Sequence, residues 1–136
     1  MKKWLKKALK TRNPHPSLIT VYLSQKALIH NLEVFRKQAP GGAVAPVLKS
    51  NAYGHGLVQI AEMMSKEKIP FIVIDSYFEA RTLRNEGVTT PLLVIGYSLP
   101  EDIFANRLKD ISFTITNLDS LKEISERARK SISLHL

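Results

Sequence analysis

A chain of 136 residues, 44% hydrophobic and 24% charged, has the make-up of an ordinary globular domain and is long enough to bury one core. It contains no cysteine, which excludes disulfide scaffolds, thiolate metal sites and cysteine nucleophiles. The net charge of +8 invites a nucleic-acid reading, but six basic residues (Lys2, Lys3, Lys6, Lys7, Lys10, Arg12) crowd into the first twelve positions, leaving fourteen basic against twelve acidic residues in the rest. The basicity belongs to a tail, so no nucleic-acid partner is implied.

Residues 1–16 read as a basic extension and linker. Trp4, Leu5, Ala8 and Leu9 fall at helical spacing among the lysines. A basic amphipathic helix touching an anionic membrane surface weakly is one reading. A solvated extension is the plainer one, because a single short helix is marginal alone. Charges interrupt any apolar signal-peptide core, and no apolar run approaches the ~20 residues that span a bilayer. A cytoplasmic setting is expected. Asn13-Pro14-His15-Pro16 then breaks any helix.

Ser17–Leu23 is β-branched and alternating, and reads as a strand. Ser24 is a plausible N-cap for a helix over Lys26–Gln38 with Leu28, Leu32 and Phe35 on one face, stopped by Pro40-Gly41-Gly42. From here apolar runs alternate with helical patterns. The expected strands are Ala43–Leu48, Phe71–Ile74, Leu92–Ile95, Ser112–Ile115 and Ile132–Leu136. The helices between them are expected at Leu57–Lys68, Tyr77–Asn85, a shorter stretch from Glu101, and Leu118–Lys130 capped by Asn117. Strands recurring every ~20–25 residues with helices between them specify repeated βα units and a parallel sheet. Their unbroken apolar character suits strands covered on both faces. The fold class is α/β, either an open doubly wound sheet or part of a (β/α)8 barrel. A complete barrel takes ~250 residues, and the chain stops on a strand-like run, so residues 17–136 are expected to form a partial barrel of a truncated chain.

The stretch with chemistry in it is Val47–Gly56, VLKSNAYGHG. Lys49 ends an apolar strand, where barrel enzymes gather their active groups. Apolar walls there would desolvate the ammonium and lower its pKa, and a neutral amine condenses with aldehydes. Tyr53 offers a hydroxyl donor in a turn whose glycines, Gly54 and Gly56, permit close approach or positive φ. Position alone proves little: a lysine at a strand end ordinarily snorkels to water. Gly-x-Gly is not a dinucleotide fingerprint either, since Gln59 stands where a third glycine is needed. His55 has no metal-ligand spacing around it and reads as a turn residue.

The pattern Val-x-Lys-x-Asn-Ala-Tyr-Gly-His-Gly closely resembles the pyridoxal-phosphate attachment motif of alanine racemases. Ser50 departs from it where alanine is usual. Ala27–Leu32 resembles the family's first helix; Phe71–Asp75, with Glu79-Ala80 and Leu83-Arg84, resembles its second βα unit; and Leu92–Gly96 resembles its third strand. The resemblance covers residues 17–136 and implies the N-terminal portion of a pyridoxal-phosphate-binding (β/α)8 TIM-type barrel, normally followed by a β-rich domain with which Ser17–Leu23 would pair. It implies pyridoxal 5′-phosphate as cofactor, alanine as substrate, a homodimer, and D-alanine made for peptidoglycan. Lys49 would hold the cofactor as a Schiff base and act as one of two catalytic bases, and Tyr53 would bind the cofactor phosphate. The second base, a tyrosine of the C-terminal domain, has no counterpart here, so this chain alone is expected to be inactive. The alternatives are another pyridoxal-phosphate barrel enzyme, such as a serine or broad-specificity racemase, and a non-catalytic cofactor-binding or interaction fragment.

Overall fold

The structure, a computed structural model, describes residues 18–136. The basic tail and proline linker expected over residues 1–16 lie outside the described residues. Helix α1 spans Gln25–Gln38, where Ser24 Oγ accepts a hydrogen bond from the Ala27 N–H at 3.2 Å. Arg36 and Lys37 sit in its last turn, the favourable end for cations. Its apolar stripe is narrower than expected: Leu32 is buried and Leu28 half-buried, but Phe35 is 59% exposed.

Four βα units and a final strand follow, and the first unit's strand is incomplete. The segment at Ala43–Leu48 forms no ladder, only a single parallel bridge between Val47 and Val73. Two bonds flank that bridge: Val73 N–H donates to Pro46 O at 2.9 Å, and Leu48 N–H donates to Val73 O at 2.7 Å. Pro46 has no N–H, so the ladder is interrupted at its middle. Helix α2 (Leu57–Met64) leads to strand β1 (Ile72–Ile74), helix α3 (Tyr77–Asn85) to β2 (Leu92–Val94), helix α4 (Pro100–Ala105) to β3 (Ile111–Thr114), and helix α5 (Leu118–Arg127) to β4 (Ser133–His135). Ser76 and Asn117 cap α3 and α5 by accepting from the Glu79 and Ser120 N–H groups. Helices α2 and α5 end before their apolar pattern does. Past Met64 the chain tightens into bonds from Lys66 N–H to Met63 O and Glu67 N–H to Met64 O, and Ala128 is already extended.

The strands are all parallel and pair in chain order, with Val73, Leu93 and Ser112 in register and Ser133 opposite Ser112. A doubly wound sheet reverses its order at a switch point; this one does not, and the order is that of successive barrel strands. The two faces differ accordingly. Ile72, Ile74, Leu92, Val94, Ile111 and Phe113 are buried beneath the helices. The opposite row runs from buried Val73 through half-buried Leu93 and Ser112 to exposed Ser133. Ser112 and Ser133 join hydroxyls there at 2.9 Å.

The strand expected at Ser17–Leu23 is not formed over the described part. Leu18 is 101% and Tyr22 91% exposed, and the segment has no ladder partner. A β-branched run becomes a strand only when a neighbour takes its backbone hydrogen bonds.

Arg84 closes the opposite end of the sheet from the lysine turn. Its guanidinium donates to Val88 O (2.8 Å), Thr90 O (3.0 Å), Lys109 O (3.1 and 3.3 Å) and Asp110 O (3.0 Å), tying the approaches to β2 and β3 together. Burial draws its pKa below the usual value, and Asp110 opposes that. Arg84→Met is expected to destabilise the chain by about 3 kcal/mol, since bonds to a charged donor are worth about 1.5–3 kcal/mol and are not additive. Arg84→Lys should recover less than half, because a point ammonium cannot serve four carbonyls. Urea titration of the three chains measures both.

Candidate functional site

Because the strands are parallel, their C-terminal ends share one side, and the segments leaving them are Lys49–Tyr53, Asp75-Ser76 and Gly96-Tyr97. Residues Lys49–Tyr53 form a helical turn of the wrong hand. Ser50, Asn51, Ala52 and Tyr53 have φ of 54°, 57°, 51° and 50°, a left-handed run that L-residues ordinarily avoid. Local bonds hold it. Ala52 N–H donates to Leu48 O at 2.8 Å, Gly54 and Gly56 N–H both donate to Asn51 O at 3.1 and 3.0 Å, and His55 N–H donates to Ala52 O at 3.1 Å. His55 Nδ1 lies 2.9 Å from the same Ala52 oxygen. That contact gives His55 the turn-shaping part expected of it. Gly56, at φ 95°, lets the chain leave the turn and enter α2.

Lys49 is half-buried at the start of this turn, immediately above the strand bridge, and Tyr53 at its far end is 68% exposed. The two candidate residues therefore share one rigid turn. A side chain at Gly54 would meet nothing within 4 Å, so the turn has open space over it. One primary amine, one phenolic donor and an uncrowded glycine backbone suit an aldehyde that carries a phosphate. Among the described residues no cluster of His, Asp or Glu could hold a metal ion, and no helix is long and apolar enough to cross a membrane.

Two residues to which the sequence assigned no role build the site. Asn51 is the hub of the turn: its Oδ1 accepts from the Leu57 N–H at 2.8 Å, its carbonyl accepts twice, and its own N–H donates to Glu79 Oε1 at 3.3 Å. Glu79 Oε2 accepts from the Asp75 N–H at 2.9 Å. Asn51 lies inside the motif and Glu79 inside the stretch that resembles the second βα unit, and Ser-x-x-Glu at 76–79 adds only a capping-box pattern pointing to a helix start. Gly96 packs next to these groups. Its N–H donates to Asp75 O at 2.9 Å, and a Cβ there would stand 2.2 Å from that oxygen.

Known proteins share this fold. The family described as alanine racemase, N-terminal domain, matches residues 23–136. The alanine racemase of Methanococcus maripaludis is 32% identical over 126 residues, covering 90% of this chain and 33% of that protein. That of Hahella chejuensis is 39% identical over 104 residues, covering 75% and 28%. Among solved structures, alanine racemase from Oenococcus oeni matches the fold with a TM-score of 0.72 at 24% identity, covering 83% of this chain and 33% of that one. The Bacillus anthracis enzyme, solved with bound L-Ala-P, matches at 0.69 and 25% identity over 85% and 32%. A histidine racemase from Leuconostoc mesenteroides matches at 0.70 and 29% over 82% and 30%. The chain spans about a third of the length of these relatives. Its parallel sheet in chain order is the N-terminal portion of their (β/α)8 barrel, and the chain belongs to the alanine racemase family.

Proposed function

We propose that this chain supplies the cofactor-lysine half of a pyridoxal-phosphate-dependent alanine racemase. The observation that carries the reading is the left-handed turn, which sets the Lys49 amine and the Tyr53 hydroxyl on one support at the C-terminal end of the sheet. When bound, pyridoxal 5′-phosphate supplies an aldehyde and a ring that draws electrons from the substrate Cα. Lys49 Nζ would be the amine that holds the cofactor, and on one face of the amino acid it would take or return the Cα proton. Tyr53 Oη would donate a hydrogen bond to the phosphate. Gly54 and Gly56 leave the backbone open for that group to approach.

Inverting a carbon centre needs a second proton-carrying group on the opposite face, and in the family that is a tyrosine of the C-terminal domain, reached across a homodimer. Residues 18–136 have no counterpart of it. A polypeptide of these 136 residues, tested alone, is expected to capture the cofactor weakly at best and not to racemise, and the activity proposed where the family's remaining barrel and C-terminal domain are present is the conversion of L-alanine into D-alanine for peptidoglycan in the cytoplasm. A racemase acting on another amino acid is the second reading, supported by the likeness to the histidine racemase.

The test is chemical. Incubated with pyridoxal phosphate and reduced with borohydride, the chain is expected to carry its label on the peptide containing Lys49 and to leave L-alanine unracemised. Label spread evenly over the tail lysines would refute the site, and racemisation by the chain alone would refute its dependence on a missing base.

A further inference from the structure

We infer that Glu79 is a positioning residue for Lys49: its carboxylate pins the left-handed lysine turn to the end of the neighbouring strand and so fixes where the amine stands. The inference rests on the reading of Lys49 as the cofactor lysine. Glu79 occupies the third position of α3 behind the N-cap Ser76. In a capping box such a glutamate turns back to the N-cap residue's own N–H. Here neither oxygen does so. Oε2 takes the Asp75 N–H at 2.9 Å, one residue earlier, and Oε1 crosses 28 positions of sequence to the Asn51 N–H at 3.3 Å.

That crossing lands on the hub of the turn. Asn51 stands two residues beyond Lys49, and its side chain and carbonyl are already committed to Leu57, Gly54 and Gly56. Its N–H finds its partner in Glu79. A run of four L-residues at positive φ persists only where its surroundings over-determine it. The bonds inside the turn fix its shape. The bond to Glu79 ties that shape to β1 through Asp75, and Asp75 in turn accepts from the Gly96 N–H at the end of β2. The amine is thereby referenced to the next two strands of the barrel as well as to its own.

Glu79→Gln and Glu79→Asp in the 136-residue chain test this, with Asp119→Asn, in the first turn of α5, as control. Aspartate is one methylene shorter, so it keeps the near bond to Asp75 and loses the reach to Asn51. In both Glu79 variants amide exchange at Asn51 is expected to speed up about tenfold or more, the loss of one bond to a charged acceptor, while exchange at Leu83 inside α3 changes less than about threefold. The share of borohydride-fixed pyridoxal phosphate found at Lys49 should fall at least about threefold on the same grounds, and Asp119→Asn should change neither quantity. Equal acceleration at Asn51 and Leu83 would mean that Glu79 only caps its helix. Unchanged exchange at Asn51, or an unchanged share at Lys49 over a loosened turn, would equally overturn the inference. Failure of the unaltered chain to label Lys49 would sink the cofactor reading instead, and the exchange arm separates the two.

Discussion

Exchange of Lys49 for arginine is expected to abolish the borohydride-stable adduct at residue 49 and leave the fold in place. Arginine keeps the charge, the long stem and any attraction for a phosphate. It lacks a neutral amine: a guanidinium holds its proton far more tightly than an ammonium, and a guanidine does not replace the amine in any case. Label at this position should fall at least about a hundredfold. Lys49 is half-buried at a strand end and not part of the core, so the unfolding free energy from urea titration should move by no more than about 0.5 kcal/mol. Total label that persists in the variant, redistributed to Lys66, Lys68 or the tail, would show that the chain merely offers many lysines.

Phe113→Ala is expected to have the largest effect on stability, about 3–5 kcal/mol. Phe113 is 1% exposed at the centre of β3, in register with Val94 on one side and Leu134 on the other. Its ring lies 6.3 Å from that of Tyr77, centroid to centroid, so its loss also strips a partner from α3. Domains are held by about 5–15 kcal/mol in total, and this one leaves part of the second face of its sheet uncovered, so the substitution removes a large share of what there is. The urea midpoint should fall with an unchanged slope. A shift worth less than about 1 kcal/mol would mean that the helix-covered face is not the core.

The βα alternation was legible because it is written in local patterns. Tyr77–Asn85 is a helix over the residues expected, and Ser24 and Asn117 cap the helices they were expected to cap. What depends on partners was not legible. Ser17–Leu23 has strand composition, yet composition says nothing about whether a neighbouring strand is within reach. Ala43–Leu48 has an apolar run, yet Pro46 limits it to a single bridge. At the site, the motif singles out Lys49 and Tyr53 as candidates, but it does not give the handedness of the turn that carries them. Asn and Ala have no sequence signature for four successive positive φ values, because that conformation comes from contacts with Glu79, Leu48 and Leu57 rather than from preference. Glu79 itself was hidden behind an ordinary capping pattern.

The left-handed turn also bears on whether the motif can be transplanted. Four residues in this conformation lie about 1–2 kcal/mol each above their right-handed alternative, roughly 4–8 kcal/mol together. A peptide covering Val47–Leu57 would keep the amine and the phenol but relax to the other hand, losing their mutual placement. Grafting the ten residues onto another barrel would fare no better unless a carboxylate at the start of the helix after the next strand came with them. The portable unit is the pair of adjacent βα loops, and the familiar ten-letter signature is only the half of it that chemistry makes visible.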